Sequence, residues 1–292
     1  MKVLKIPDWT EFFCDSVRDV HGNEFPLVYE TALHVDIQPR LHAWSVPRKR
    51  EVHVSALTRE LLLRVNVLLV NATGYFDPEN PALNRDVGAQ GAKYILGYLL
   101  AGYDDLNYSR LPVARAQSHE HFHEAMLITQ TQVEFMISHE FGHVAQDLAG
   151  LNLADRETRC DDFAFDVISK TERVQRVFIA LRWLFLIISL ERLLGEILYG
   201  SSDEWTGDVD WLQEEIRGRD RTEQILVENE SRDVLSWTES AGSLLLFSVK
   251  AYLREIGPGG VRQIVAKIRE DAVLPSPQQM REFVGRALAG LG

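Results

Sequence analysis

Apolar residues recur at Leu127, Val133, Met136, Ile137, Phe141, Val144 and Leu148, a spacing close to the 3.6-residue period of a helix. The pattern predicts one long helix over 124–149, free of proline, with Gly142 its one glycine and Gly150 its left-handed stop. Glycine inside a helix costs about 1 kcal/mol relative to alanine, so Gly142 points to a second backbone passing close by. Asp155 reads as the N-cap of a following helix. Further on, residues 177–189 are almost entirely apolar except for Arg182. That run of about 13 residues is shorter than the ~18–20 needed to cross hydrocarbon, and Glu191 and Arg192 interrupt its extension. It reads as a central helix buried on several sides and not as a membrane anchor.

The N-terminal part is mixed. Short strand character appears over 28–37 and 51–54, and an apolar helix follows from Leu57 to about Asn71, with its pattern reaching Tyr75. Pro78 and Pro81 mark a loop, after which 89–100 has helical character. Near the C-terminus a helix is expected over 231–256. Gly257-Pro258-Gly259-Gly260 breaks it, and a last helix opens at Ser276-Pro277, an N-cap followed by proline at the first helical position. The expectation is an α+β chain, mostly helical, with a small N-terminal sheet and a helical C-terminal part. In sequence order the parts are 1–110, 111–200 and 201–292. No internal repeat or low-complexity tract interrupts them.

Chemistry concentrates in Ser138-His139-Glu140-Phe141-Gly142-His143. Histidines four apart on a helix share a face, roughly 6 Å from each other, and two imidazole nitrogens can then reach one ion at about 2.0–2.1 Å. Glu140 is rotated toward the open side of such an ion, where a carboxylate can hold and deprotonate a water. A hydrolytic site of this kind takes a third protein ligand and leaves the fourth position wet. Thirteen residues separate His143 from Glu157, enough to end one helix, turn, and return an antiparallel neighbour. Glu157 and Asp161 lie i, i+4 on that neighbour. Glu157 is the candidate third ligand. Asp161 would accept the second ring N–H of a ligating histidine and fix its orientation. The alternative is that Glu157, Asp161 and Asp162 are solvated first-turn acids serving the helix dipole. Cys160 reads as a small packing residue between the helices.

HExxH followed by Glu157-Thr158-Arg159-Cys160-Asp161-Asp162-Phe163-Ala164 resembles the glutamate-ligand zinc metallopeptidases, the gluzincins. The short gap and the flanking segments (strand-like Glu51–Ser55, an apolar helix over Leu57–Tyr75 and a long apolar helix over Val174–Tyr199) are similar to the bacterial Lit-type phage-exclusion peptidases over about half the chain, and the resemblance implies a zincin-like core. The resemblance implies zinc-dependent cleavage of an intracellular protein, with His139, His143 and Glu157 as zinc ligands, Glu140 as base, and a role in phage exclusion. The chain departs from the pattern in lacking a downstream His-Pro pair, and no histidine follows His143. The group that stabilises the oxyanion must then come from elsewhere, with Tyr199, Arg192, His121 and His123 as candidates. His119-Glu120-His121-Phe122-His123 reads as a solvated helix entrance, with a second metal site as the alternative.

A net charge of −12 sets the chain against nucleic acid, whose phosphates want clustered Lys and Arg; the protein or peptide substrate is what the resemblance implies, and the acidic charge adds a general bias toward a basic one. Two cysteines, Cys14 and Cys160, do not make a disulfide framework, and Met1 to Pro7 lacks the apolar core of a signal peptide. A cytoplasmic location is expected. The strand 51–55 is the candidate acceptor of a substrate backbone by strand addition. Two further readings remain: a zinc-binding regulatory or interaction module without proteolysis, and a gluzincin that clips a transcriptional repressor.

Overall fold

The computed structural model describes residues 9–36, 41–75, 94–99, 115–172, 174–199, 218 and 237–271. It is mostly helical with one small N-terminal sheet. The residues gather into two compact units, each drawn from two separated stretches of chain. The first comprises Met1–Arg59 with Gln130–Val177, and the second Glu60–Thr129 with Phe178–Gly292. The helices are α1 (Trp9–His21), α2 (Ala56–Tyr75), α3 (His119–Ala145), α4 (Leu153–Thr171), α5 (Val174–Tyr199) and α6 (Trp237–Asp271). The strands are β1 (Ala32–Asp36), β2 (Ala43–Val46) and β3 (Glu51–Ser55).

In the first unit the sheet order is β1-β3-β2, with β1 parallel and β2 antiparallel to β3. Alternation along β3 buries Val52 and Val54 completely and leaves Glu51 and His53 half-exposed on the other face. The strand expected over 28–37 begins only at Ala32, because Pro26–Tyr29 forms a turn of 3-10 helix with proline in its first turn. β3 was the candidate acceptor of a substrate backbone, and this is corrected here. It is the central strand, and its backbone groups are already engaged by a neighbour on each side. Only β1 and β2 present outer edges.

α4 is amphipathic: Cys160, Asp161, Phe163, Ala164, Val167 and Ile168 are buried, while Asp162, Asp166, Ser169 and Lys170 are exposed. The buried set follows the i, i+3, i+4, i+7 pattern of a helix laid on a core. Its N-cap is Asn152, whose side-chain oxygen accepts the Asp155 N–H at 2.9 Å. The expected cap, Asp155, therefore sits in the first turn. α3 differs from its expected 124–149 in the same sense, starting at His119 and ending at Ala145. Gly150 does take a positive φ of 87°, but within the turn between α3 and α4.

α1 braces α4. The His21 ring stacks on Phe163 at 3.7 Å between centroids, Phe25 meets both edge-on, and His21 Nε2 donates to the Phe163 carbonyl at 2.8 Å. These contacts hold the helix that carries Glu157 and Asp161.

In the second unit, α5 matches its expected span and buries 178–181 and 183–187, so apolar side chains point inward around its whole circumference. Among the described residues, no helix is long and apolar enough to cross a membrane. α6 packs on α5 at Gly242, where a Cβ would fall 2.3 Å from the Trp183 indole. Arg182 pairs with the buried Glu239 at 2.5 Å, and Glu239 also accepts from Ser243 at 2.6 Å. α6 kinks at Gly257 (φ 61°, ψ −176°) before Pro258, which is the expected break between two helices. α2 is tied to the start of α3 by Asn66 Nδ2 donating to Thr129 at 2.8 Å and by Asn71, which bonds Arg115 and Gln117. The expected helix over 89–100 is seen over 94–99. Residues 231–236 and the expected helix at Ser276-Pro277 lie outside the described residues.

Burial lowers the pKa of His21 below its ordinary 6.5. The folded state therefore binds fewer protons than the unfolded chain as pH falls through that value, and stability drops toward acid. His21→Gln keeps an N–H for Phe163 but titrates nothing. The decline in urea midpoint between pH 7.5 and 5.5 is expected to be shallower in His21→Gln than in the wild type. Parallel declines would show that His21 does not contribute.

Candidate metal centre

Between Val133 and Ala145, α3 is buried all round except at Met136, Glu140 and His143, which are partly exposed. At 100° per residue these three fall within about 60° of one another around the axis. The otherwise interior helix thus has one open stripe, and it carries the Glu and the second His of HExxH. His139 lies alongside the stripe and is buried, at 8% exposure.

The turn after α3 returns the chain so that α4 passes the same face. A Cβ on Gly142 would meet Cys160 Cα at 3.2 Å and its Sγ at 3.3 Å, tighter than ordinary contact. The close approach expected at Gly142 is found there, and its partner is Cys160, buried and unoxidised. Gln146 Nε2 donates to the Arg159 carbonyl at 3.3 Å and holds the crossing from the side.

This proximity brings the candidate residues together. His139 Nε2 lies 3.2 Å from His143 Nε2 and 3.3 Å from Glu157 Oε2, and His143 Nε2 lies 3.5 Å from Glu157 Oε1. Three atoms bound at about 2.0–2.1 Å with tetrahedral angles lie about 3.3–3.4 Å apart. The separations are close to these values, with the two from Glu157 running to different oxygens of its carboxylate. His139 Nδ1 donates to Asp161 Oδ1 at 3.0 Å, and Asp161 is completely buried. A carboxylate can only accept this bond, so Nδ1 carries a proton, and in the neutral ring Nε2 would be the nitrogen that ligates. Either a metal ion or a proton on Nε2 relieves the repulsion between that nitrogen and the Glu157 oxygen 3.3 Å away. Residues so placed could hold a divalent metal ion.

Because α4 is capped at Asn152, Glu157 lies in its second turn, beyond the reach of most of the helix-end charge. It is half-buried and aimed at two imidazoles, while Asp161 is buried and bonded. Among these acids only Asp162 is a solvated surface residue. Glu140 is half-buried on the open stripe, one residue from His139.

Cys160 has a second aspect that sequence reasoning missed. Its Sγ and the nitrogens of His139 and His143 all lie within 4.8 Å of one another. Its position three residues after Glu157, on the same helix face, was the available signal.

His119–His123 form the exposed first turns of α3, with His121 half-buried, as a solvated helix start would. More than four helical turns separate His123 from His139 on that helix, and no metal-ligand cluster among the described residues includes the tract. Arg192 is exposed on α5 in the second unit, and the Tyr199 side chain lies outside the described residues. A second cluster, His34, Glu51 and His53, sits on the sheet. It was not foreseen, because only the strand register brings the residues together.

No protein-family model, no curated protein and no solved structure matches this chain.

Asp161→Asn is expected to weaken zinc affinity ten- to a hundredfold, since the amide holds His139 less well in its ligating tautomer. Competition with a chromogenic chelator measures this, and unchanged affinity would remove Asp161 from the centre. Gly142→Val drives atoms into Cys160. It is expected to cost about 1–3 kcal/mol of stability, read from the urea midpoint, and to weaken metal binding in parallel.

Proposed function

We propose that the chain is a gluzincin-type zinc metallopeptidase that hydrolyses a peptide bond in a cytoplasmic protein. The observation that carries this reading is the convergence of His139, His143 and Glu157 at 3.2, 3.3 and 3.5 Å, with Glu140 on the open side of the same helix. A zincin-like core built on α3 and α4 is part of the proposal.

Zinc bound there would supply Lewis acidity toward a water and a scissile carbonyl. His139, His143 and Glu157 hold the ion, and Asp161 keeps His139 in the tautomer that presents Nε2. Glu140 orients the attacking water, takes its proton, and returns a proton to the leaving amine. The Met136–Glu140–His143 stripe is the side from which substrate reaches these groups. An extended peptide can add to an outer sheet edge, β1 or β2, the central strand being closed to it. A Lit-like role in phage exclusion, or cleavage of a repressor, is a choice of substrate within this chemistry.

One observation favours a second reading, a structural zinc in a regulatory module. Cys160 Sγ lies in reach of both imidazoles, and a fourth protein ligand would close the site to water. Glu140 argues for the peptidase, since a closed site has no use for a carboxylate on its open stripe.

Glu140→Gln is expected to retain the metal and lose turnover by a factor of about a thousand or more, whereas His143→Ala loses the metal as well. Comparing proteome-wide cleavage in bacteria expressing wild type or Glu140→Gln reads out both activity and target. Identical fragment patterns would exclude the peptidase. Cys160→Ala is expected to leave zinc stoichiometry and turnover intact. Loss of zinc in that variant would instead assign the closed, structural site.

A further inference from the structure

The open face of the sheet is rich in rings and acids. Register places His34 and Trp44 on either side of His53, and Ala32 opposite Glu51. The rings stack across all three strands: His34 on His53 at 4.9 Å, His53 on Trp44 at 4.8 Å with only 9° between planes, and Trp44 on His42 at 4.7 Å. The indole lies along one face of the His53 ring and limits the planes that ring can adopt. Asp36 and Glu51 then engage its two nitrogens. Nδ1 lies 2.8 Å from Asp36 Oδ2, and Nε2 lies 3.5 Å from Glu51 Oε2.

This arrangement repeats the chemistry of His139 and Asp161 on a different scaffold. With Nδ1 donating to Asp36, a neutral ring would turn the Nε2 lone pair onto the Glu51 carboxylate, and a cation between them would relieve the repulsion. A third ligand stands on the neighbouring strand. The ligand atoms of His34, Glu51 and His53 all lie within 4.8 Å of one another. His34 is exposed, so its ring can turn to close the remaining distance. Two imidazoles and a carboxylate suit the borderline divalent ions, zinc, nickel, cobalt and copper, and not calcium or magnesium, which want oxygen alone.

We propose that the chain holds a second divalent transition-metal ion on His34, Glu51 and His53, with Asp36 as the positioning residue of His53. The ion bridges β1 and β3, which are separated in sequence, and so clamps the parallel pair of the sheet. Its three protein ligands leave the outward side to water. The assignment is independent of the peptidase reading.

The test uses the full chain, stripped with a chelator and titrated calorimetrically with Zn2+. His34 is exposed on an edge strand, so His34→Ala leaves the fold in place, and circular dichroism checks this. The wild type is expected to take up about two equivalents, of which His34→Ala loses one and His143→Ala the other. Asp36→Asn is expected to weaken the sheet site ten- to a hundredfold while keeping both equivalents. In His143→Ala, added Zn2+ should still raise Tm, and in the His34→Ala/His143→Ala pair it should not. Undiminished uptake by His34→Ala overturns the proposal, as does a single wild-type equivalent that His143→Ala abolishes, or no uptake at all. Any of these results would mean that the two carboxylates simply hold His53 as an imidazolium. A single equivalent lost in His34→Ala but kept in His143→Ala upholds the sheet site and counts against the HExxH centre.

Discussion

The first compact unit is organised around the crossing of α3 and α4, which brings two imidazoles and a carboxylate within 3.2–3.5 Å of one another. His139 is turned toward Glu157 because a buried carboxylate, Asp161, grips its other nitrogen. Both acids ride on α4, so the position of α4 decides whether the ligand atoms converge. Gly142 against Cys160 sets how closely the helices cross, and His21 stacked on Phe163, one turn further along α4, holds that helix in place. The packing exists for its own apolar reasons, each buried side chain contributing about 1.5–3 kcal/mol. Its consequence is a cluster of two imidazoles and a carboxylate 3.2–3.5 Å apart, beside residues that could hold a metal ion.

The two clusters share one arrangement on unlike scaffolds. In each, a histidine is held at Nδ1 by an aspartate and faces a glutamate from Nε2: His139 with Asp161 and Glu157, and His53 with Asp36 and Glu51. On the helices the aspartate is fully buried, the geometry tight, and one stripe open beside a potential base. On the sheet the set is more exposed and looser, with aromatic stacking in place of helix packing. A tight site with an open corner and an adjacent carboxylate suits chemistry. A loose cross-strand site suits holding strands in register.

Much of the helical layout was legible in the chain because amphipathic period and cap chemistry are local. The apolar run 177–189 lies inside α5, and the break at Gly257-Pro258 followed from a glycine that can take φ of 61° and a proline that cannot continue the ladder. The caps were less legible. Asn152, and not Asp155, begins α4, because either side chain can cap and the turn geometry chooses between them. The ends of α3 shifted for a related reason: a helix buried nearly all round has little periodic contrast to mark where it stops.

HExxH and the Glu157/Asp161 pair were readable because their spacings of four residues are dictated by the helix itself, and Gly142 announced a close neighbour without naming it. The identity of that neighbour, the 3.2–3.5 Å convergence and the reach of the Cys160 thiol depended on the crossing of two helices, which no local pattern encodes. The same holds for the sheet. Alternation identified Glu51–Ser55 as a strand, but strand order placed it at the centre, closed its backbone to a substrate and set His53 beside His34. Pairing between segments far apart in the chain is settled by which apolar faces can be buried together, and that is a property of the whole fold.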